Sequence, residues 1–314
     1  MGGSAGGGGV GGSGAPLLDE YVLMDETLVP ESGIFDPTSR SFYVGSATQG
    51  SITQVEADGT ESVFFSAPSG EMWGTFGIAV DDAARRLWVC ARRSDVAADE
   101  IWVFDLVSGD RDLALELVDV AEDSTCNDIA VDGNGLAYVS DSENPRVYRA
   151  DADDEIAVVW ADDPVLSPNE TGTFGGNGIA VTEDERYVIV SKTGPSSPPR
   201  LLRIALDDPS SIDEVVATPA LEGFADGMAF LDGALYVAMV AAGTVVRLTS
   251  DDDWATASAV SVPASPGGPV PGTSTVRVAE GALYAIYSDI TRTLLGMTSV
   301  PPFRIFKVDL ETFE

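Results

Sequence analysis

The stretch Asp128-Ile129-Ala130-Val131-Asp132 begins a unit that recurs along the chain and decides its fold. Related segments start at Gly33, Gly77, Gly178, Gly227 and, in degraded form, Thr275. The six starts follow one another at intervals of 44, 51, 50, 49 and 48 residues. A repeat of this length is typical of an architecture built from similar supersecondary units.

Each unit contains further short runs with the character of β-strands. A short turn and an aromatic or β-branched run follow each start, as in RLWVCA (86–91) and LAYVSD (136–141). An alternating third run comes next, as in RVYRADAD (146–153), and a more polar fourth run closes most units, as in LALELVDV (113–120). Four strands in about 50 residues predict a β-propeller blade. The sequence therefore predicts an all-β, six-bladed propeller with four antiparallel strands per blade.

The two ends of the chain complement each other in this scheme. The sixth unit stops at its third run, FRIFKVDL (303–310), whereas a spare strand-like run, EYVLMDETL (20–28), precedes the first unit. Pairing the spare run with the last blade would close the ring and remove exposed sheet edges. We therefore expect one propeller domain over residues 17–314, with residues around 20–28 hydrogen-bonded to the last blade.

Charge and composition exclude several classes of function. The 314 residues include 51 Asp and Glu against 17 Lys and Arg, a formal charge of −34, and no histidine. The absence of histidine excludes Ser-His-Asp and Cys-His catalysis and histidine metal sites. Such a negative charge opposes binding to nucleic acid and to anionic lipid. No apolar run approaches the length of about 18 residues that a transmembrane helix needs. We expect a soluble, monomeric globular protein.

The first sixteen residues, MGGSAGGGGVGGSGAP, consist of glycine and a few small residues. Such a composition cannot offset the entropy of ordering and predicts a disordered tether. A similar stretch follows the lipidated residue of many bacterial lipoproteins, which would place the protein outside the cytoplasm with a membrane tether through its N-terminus only. An artificial linker or a plain disordered tail remains the alternative, and with it a cytoplasmic location.

The residues just before the innermost strand of each blade ring one mouth of the central channel. Four of them carry side-chain oxygen atoms of the kind that calcium prefers: Glu31, Asn127, Asn177 and Asp226. Alternatively, Asn and Asp at such positions cap turns through local hydrogen bonds. Convergence of all four on one axis favours a metal site.

Four phrases, in order and spacing, resemble the gluconolactonase family, the senescence-marker/regucalcin-like group of six-bladed propellers related to diisopropyl fluorophosphatase. They are PESGIFDP (30–37), TCNDIAVDGNGLAYVSD (125–141), GGNGIAV (175–181) and ADGMAF (225–230). The resemblance implies that Glu31, Asn177 and Asp226 bind one divalent metal, usually Ca²⁺. It further implies that Asn127 is a fourth ligand or contacts substrate.

The chain also departs from the family pattern. The family motif E-G-P reads Glu31-Ser32-Gly33 here, and Thr125 stands where lactonase members often carry a substrate-binding Arg. Arg277 matches a channel histidine that holds a second calcium in the phosphotriesterase relatives. A second calcium is therefore not expected. Arg277 and Thr125 are candidate substrate contacts, and the alternative for Arg277 is a salt bridge within the channel.

The activity that the resemblance implies is metal-dependent hydrolysis of a lactone or an ester. The cation would polarise the carbonyl group, and a carboxylate would activate water or attack directly. In a chain without histidine the catalytic base must be a carboxylate, and Asp226 is the candidate. The alternative is a propeller that keeps the family pocket and only binds its ligand, because the changes at Thr125 and in the first-blade motif could silence the chemistry.

The two cysteines form one candidate disulfide. Cys126 immediately precedes Asn127, and Cys90 ends the second strand of the preceding blade. That strand runs antiparallel to its own inner strand, so both thiols are expected at the same rim and within disulfide distance. A bridge would suit an exported protein. Two buried free thiols are the alternative.

Overall fold

The structure is a computed structural model, and it describes residues 14–95, 98–117, 124–168, 174–194, 197–265, 267–268 and 270–313. The predicted tether over residues 1–16 thus lies almost wholly outside the described residues. Within the described residues the fold is almost entirely β, as predicted. Among them, no helix has the length and apolar character needed to cross a membrane.

The strands follow one another in chain order with few other elements between them. The first eight are β1 (Glu20–Val22), β2 (Gly33–Asp36), β3 (Ser41–Gly45), β4 (Ile52–Glu56), β5 (Glu61–Phe65), β6 (Trp73–Asp81), β7 (Arg86–Arg93) and β8 (Ala98–Asp105). The next eight are β9 (Arg111–Leu117), β10 (Cys126–Val131), β11 (Ala137–Asp141), β12 (Arg146–Ala150), β13 (Ile156–Asp162), β14 (Phe174–Val181), β15 (Tyr187–Gly194) and β16 (Ser197–Ala205). The last eight are β17 (Ile212–Thr218), β18 (Ala225–Leu231), β19 (Ala234–Met239), β20 (Thr244–Thr249), β21 (Thr256–Pro263), β22 (Thr273–Ala279), β23 (Ala282–Tyr287) and β24 (Arg304–Lys307). One α-helix, α1 (Ile290–Leu294), and two 3₁₀ turns, Pro164–Leu166 and Leu310–Phe313, complete the described elements.

The strands pair in four sheets. Two sheets have four strands each, in the orders β2-β3-β4-β5 and β1-β24-β23-β22. Two sheets have eight strands each, in the orders β10-β11-β12-β13-β9-β8-β7-β6 and β14-β15-β16-β17-β21-β20-β19-β18. Each eight-stranded sheet joins two runs of four consecutive antiparallel strands, because the outer strands of the two runs pair in parallel, β13 with β9 and β17 with β21. We call each run of four strands a unit.

The sheets confirm a propeller-like all-β architecture. The first strand of each unit contacts the first strands of its two neighbours, and β22 contacts β2, so these inner strands form a closed ring. The sequence did not predict that outer strands of neighbouring units would pair. Since the sheets number four and not six, the blade count stays a prediction, and we return to it below.

The N-terminal strand joins the last unit, but over a shorter stretch than predicted. β1 pairs antiparallel with β24, with Tyr21 opposite Ile305, and the Leu23 N–H donates to the Phe303 carbonyl at 2.9 Å. Beyond this point Asp25 starts a turn by accepting a hydrogen bond from the Thr27 N–H at 2.8 Å. Pairing therefore ends before residue 28, because a local Asp-centred turn competes with the ladder.

The core is divided among the interfaces between units. Six clusters of buried apolar side chains each combine residues of two neighbouring units. One of them, for example, brings Tyr43 of β3 against Leu87 and Trp102 of the next unit. Stacking of this kind buries both faces of every sheet. The innermost strands are thereby held around a narrow central channel.

Candidate metal and substrate site

Three inner strands are irregular where the sequence places its candidate ligands. The register shifts in β10 between Cys126 and Ile129, and in β18 between Ala225 and Met228. In β14 it shifts twice, and the second shift lies between Gly176 and Ile179. Asn127, Asn177 and Asp226 lie within these bulges. A bulge frees residues from the ladder and re-aims their side chains. The expectation that these residues come just before the strands is therefore wrong. They lie inside the inner strands β10, β14 and β18.

The glycine after two of these residues is required by close packing. A Cβ atom on Gly178 would lie 2.1 Å from the Asp226 carbonyl oxygen of the next inner strand. A Cβ atom on Gly227 would lie 2.0 Å from Oγ1 of Thr275 in the strand after that. Neither position can hold a side chain unless a neighbouring strand moves. The glycines of the N-G-I and D-G-M sequences therefore allow the inner strands to approach one another closely.

Two of the candidate ligands are buried carboxylates in mutual electrostatic contact. Glu31, just before β2, is 8% exposed and Asp226 is 6% exposed. Burial raises the pKa of both groups, and the negative charges of Asp226 and Asp128 raise the pKa of Glu31 further. Oε2 of Glu31 is buried and has no hydrogen-bond partner among the residues that the structure describes. A buried carboxylate oxygen without a partner is costly unless a ligand satisfies it.

The two asparagines supply amide oxygen atoms nearby. Nδ2 of Asn177 donates to the Ala225 carbonyl at 2.9 Å, so Oδ1 is the atom that can accept a ligand. The Asn177 amide also lies close enough to Asp226 to lower the pKa of its carboxyl, against the larger effect of burial. Oδ1 of Asn127 is buried without a hydrogen-bond partner. The structure thus brings Glu31, Asp226 and Asn177 together, and it places Asn127 in the neighbouring inner strand, β10, which contacts β14.

Arg277 lies in the channel, in an ion pair with Asp128. Its Nη2 donates to Oδ1 of Asp128 at 3.0 Å, and both side chains are 6% exposed. The remaining N–H groups donate to Oγ of Ser32 and to the carbonyl oxygens of Gly33, Met228 and Val276 at 3.0–3.2 Å. All five donors of the guanidinium are therefore used within the protein. This geometry matches the salt-bridge alternative for Arg277 and leaves no donor for a substrate.

Asp128 is the buried channel residue that sequence reasoning missed. It occupies the position held by Gly77, Gly178 and Gly227 in other units. A charged residue in place of the repeat's glycine was the signal that could have identified it. Burial raises the pKa of Asp128, whereas Arg277 and the N–H groups of Ile129 and Ile179 lower it.

Thr125 lies in the wall of the site beside Asn127. It is 3% exposed, and its N–H donates to Oδ1 of Asp141 at 3.0 Å. Its Oγ1 and the neighbouring Oγ of Ser124 are buried without hydrogen-bond partners. Thr125 therefore offers an unsatisfied hydroxyl group, and its role as a substrate contact stays a prediction.

The predicted disulfide is present and is attached to the site. Cys90 in β7 and Cys126 in β10 are bonded, with their Cα atoms 5.3 Å apart, and both are fully buried. The Cys126 N–H donates to Oδ2 of Asp99 at 2.7 Å. Burial raises the pKa of Asp99 to about 7. The bulge that carries Asn127 is thus tied covalently to the neighbouring unit.

The donors at the mouth suit a hard cation. Within the part of the chain that the structure describes, no three His, Cys, Asp or Glu side chains form a group that could hold a metal ion. The mouth instead offers two carboxylates, Glu31 and Asp226, together with amide oxygen atoms, and Oε2 of Glu31 and Oδ1 of Asn127 lack partners. Carboxylate and amide oxygens with water are a donor set that Ca²⁺ accepts.

Comparison with known families agrees with this arrangement. The sequence profile described as the SMP-30/Gluconolactonase/LRE-like region matches residues 29–269, which include every candidate site residue except Arg277. The chain belongs to the SMP-30/gluconolactonase/LRE-like family. Among curated proteins, no sequence matches this member of the family.

Solved structures resemble this SMP-30/gluconolactonase chain over nearly its whole length. The major allergen Mala s 1 of Malassezia sympodialis is 18% identical, covers 93% of this chain and 96% of its own, and has a TM-score of 0.74. A gluconolactonase of Xanthomonas campestris is 19% identical over 92% of this chain and 89% of its own, with a TM-score of 0.62. Regucalcin of Agrobacterium tumefaciens, described as a calcium-binding protein, is 16% identical, covers 93% of this chain and 95% of its own, and has a TM-score of 0.62. At these identities the likeness concerns the fold.

Proposed function

We propose that this protein is a gluconolactonase-like hydrolase that uses one divalent metal, Ca²⁺, to cleave a lactone or an ester at the mouth of the channel. The observation that carries the proposal is the proximity of buried Glu31 and Asp226, with Asn177 beside Asp226, together with a Glu31 oxygen that has no hydrogen-bond partner among the described residues. Family membership and the similarity to a gluconolactonase and a calcium-binding regucalcin support it.

In this proposal Glu31, Asn177 and Asp226 hold the cation, and Asn127 is a further ligand or a substrate contact. The donors are oxygen atoms, and the chain has no histidine to favour zinc or another transition metal. When bound, the cation would polarise the substrate carbonyl as a Lewis acid.

Asp226 is the proposed catalytic base. It would accept a proton from the attacking water and return it to the alkoxide oxygen as the C–O bond of the ester breaks. Asp128 cannot take this role while it is paired with Arg277. Asn127 and Thr125 would orient the substrate through hydrogen bonds, and this positioning must provide much of the rate.

Calorimetry tests the metal site directly. Protein treated with EDTA and titrated with CaCl₂ should bind one ion per chain, and Asp226→Asn should weaken the affinity at least about tenfold because a carboxylate ligand is lost. Asp251→Asn is the matched control, because Asp251 is exposed and lies in the turn between β20 and β21. It should leave the affinity unchanged. Equal affinities in the two variants would show that Asp226 is not a ligand.

A panel of sugar lactones and simple esters tests the activity. Turnover should disappear with EDTA, return with Ca²⁺ and be lost in Asp226→Asn. Calcium binding without turnover of any substrate would favour the second candidate, a propeller that only binds its ligand. Two observations favour that candidate: the five N–H donors of Arg277 are all used within the protein, and Thr125 stands where lactonase members often carry Arg.

We also propose that the six units are the six blades of one propeller domain over residues 17–314. Six four-stranded units, six apolar clusters between neighbouring units and the ring of inner strands support this count. The parallel pairing of outer strands then joins neighbouring blades without changing their number. An experimental structure with another number of repeats around the channel would contradict it.

The disulfide supports an oxidising, non-cytoplasmic compartment, and we propose that the protein is exported as a monomer. Nη2 of Arg40, in the turn between β2 and β3, donates to the Ala15 carbonyl at 2.8 Å. The chain therefore enters the domain at the end of the channel opposite the mouth. A lipidated N-terminal tether attached there would leave the mouth open to a small-molecule substrate. Two free thiols in the unfolded, unreduced protein would contradict the oxidising compartment.

A further inference from the structure

Arg277 contacts the inner strands that carry the candidate ligands, beside the ligands themselves. Its Nη2 reaches Ser32, which follows Glu31, and Asp128, which follows Asn127. Its Nη1 reaches the carbonyl of Met228, two residues after Asp226. One guanidinium thus connects three of the four strands that supply the site.

The fourth strand is joined through Asp128. Oδ2 of Asp128 lies 3.4 Å from the Ile179 N–H, two residues after Asn177. The Asp128 N–H donates to Oγ of Ser140 at 3.1 Å, and this hydroxyl donates to the Asn177 carbonyl at 2.5 Å. The Arg277–Asp128 pair is therefore hydrogen-bonded, directly or through Ser140, to the segments that carry all four candidate ligands.

The formal charges of this buried group are unequal. Glu31, Asp128 and Asp226 contribute three negative charges, and Arg277 contributes the one positive charge that faces them among the described residues. When all are ionised, the net charge is minus two. Burying an uncompensated charge is costly, so such a group binds a counter-ion of matching charge most favourably. A single divalent cation brings the group to neutrality.

We propose that Arg277 is a built-in cation that sets the charge of the site, so that the site selects one divalent ion over a trivalent ion or a second divalent ion. The inference rests on the proposed metal site and concerns its selectivity. Arg277 is a positioning residue in this role, since its donors are all used within the protein. Oε2 of Glu31, buried and without a partner, is the group that the selected cation would satisfy.

The channel below Arg277 agrees with a single ion. A cavity of about 230 Å³ adjoins Arg277 there, and its other lining residues are apolar, among them Ile78, Ile129, Ile179 and Phe230. Apolar side chains provide no ligands for a hard cation. Arg277 thus lies between the polar mouth and a channel lined by apolar side chains, where a second cation would have no side-chain oxygen donors.

Charge variants separate this role from that of a simple structural clamp. Arg277→Gln makes the formal charge of the site minus three, Asp128→Asn makes it minus one, and the double variant restores minus two. Affinities for Ca²⁺ and for La³⁺, a trivalent ion that also prefers oxygen ligands, are measured by calorimetry. The readout is the ratio of the La³⁺ affinity to the Ca²⁺ affinity, which a uniform loss of order does not change.

Relative to the wild type, the ratio should rise about tenfold or more in Arg277→Gln and fall about tenfold or more in Asp128→Asn, because the charge mismatch acts in a poorly solvated site. In the double variant it should return to within about threefold of the wild type. Arg277→Lys keeps the charge with fewer donors, so its ratio should also stay within about threefold. Circular dichroism and thermal melting show which variants are folded. If Arg277→Gln or Asp128→Asn is not folded, the affinity ratio of Arg277→Lys is compared with that of the wild type.

Equal ratios in all folded variants, or a ratio in Arg277→Lys that differs from the wild type as much as Arg277→Gln does, would overturn the inference. These outcomes would leave the proposed hydrolase intact as long as the wild type binds Ca²⁺ and turns over substrate. Lack of calcium binding by the wild type would overturn both proposals. Calcium binding with the expected ratios but without turnover would overturn only the hydrolase.

Discussion

At the scale of single residues, the surroundings of each buried carboxylate decide its protonation. Asp36 is fully buried, yet its pKa is lowered to about 2, because Arg85 binds both of its oxygens at 2.6 and 2.7 Å and outweighs the effect of burial. Asp99 is also buried, but among the described residues it accepts a hydrogen bond only from the Cys126 N–H, and burial raises its pKa to about 7. Burial favours the neutral acid unless a bidentate cation compensates.

Asp99 should therefore make the stability of the protein depend on pH. Its pKa is about 7 in the folded state and near 3.8 when unfolded, so the native state binds more protons between these values. Stability is lost as the pH rises through this window. Asp99→Asn keeps an acceptor for Cys126 and should be the more stable protein at pH 8, by a few kcal/mol at most, and similar to the wild type near pH 4. Urea unfolding at both pH values measures the difference.

If the advantage of Asp99→Asn were the same at pH 4 and pH 8, the raised pKa of Asp99 would be refuted.

At the scale of elements, the inner strands combine two requirements in a few residues. They must turn a side chain toward the channel, which the bulges do, and they must approach their neighbours closely, which the glycines allow. Bulges commonly re-aim side chains next to functional sites. The same dipeptide thus sets both the packing of the ring and the direction of the ligand.

Gly178→Ala tests this coupling. The added methyl group would meet the Asp226 carbonyl at 2.1 Å, so the strand that carries Asp226 must move. We expect a loss of about 1–3 kcal/mol in the free energy of unfolding, together with weaker Ca²⁺ binding. Denaturant unfolding and calorimetry measure the two effects.

Gly267→Ala is the matched control, because the nearest atom to its added Cβ is Oγ of Ser265 at an ordinary 3.7 Å. It should change the stability by no more than about 0.5 kcal/mol. Unchanged stability and calcium affinity in Gly178→Ala would mean that the strands can separate without affecting the site.

At the scale of the whole molecule, closure of the ring depends on one short strand. β1 covers the edge of β24, and its alternate residues face opposite ways: Tyr21 is 3% exposed, whereas Val22 is 51% exposed. The Tyr21 ring packs against Phe42 of the first unit and Tyr284 of the last, with centroids 5.4 and 6.5 Å away. Tyr21 of β1 therefore packs between the first and the last unit.

Tyr21→Ala should destabilise the protein by about 3–5 kcal/mol, because it removes a buried ring at the closing interface. Val22→Ala, on the same strand, should cost less than about 0.5 kcal/mol because its side chain faces solvent. The midpoints of urea unfolding distinguish the two. A similar loss in both variants would indicate that β1 contributes through its backbone alone.

The sequence by itself determined the repeat, the all-β propeller-like fold, the types of the mouth residues and the Cys90–Cys126 pairing. These features depend on local patterns. Apolar and polar residues that alternate over a few positions indicate a strand, and the repeat then indicates which strand ends lie at the same rim. The link between the N-terminal run and the last unit followed in the same way, from counting strands in each unit.

Only the tertiary structure decided the bulges, the parallel joining of outer strands and the ion pair of Arg277 with Asp128. Those two residues are 149 positions apart and meet only because the ring closes around a narrow channel. The strand boundary at Asn127 likewise shifted because the ladder resumes beyond the bulge. Local patterns record neither how closely two distant strands approach nor which buried charge another residue compensates, since both depend on the packing of the whole molecule.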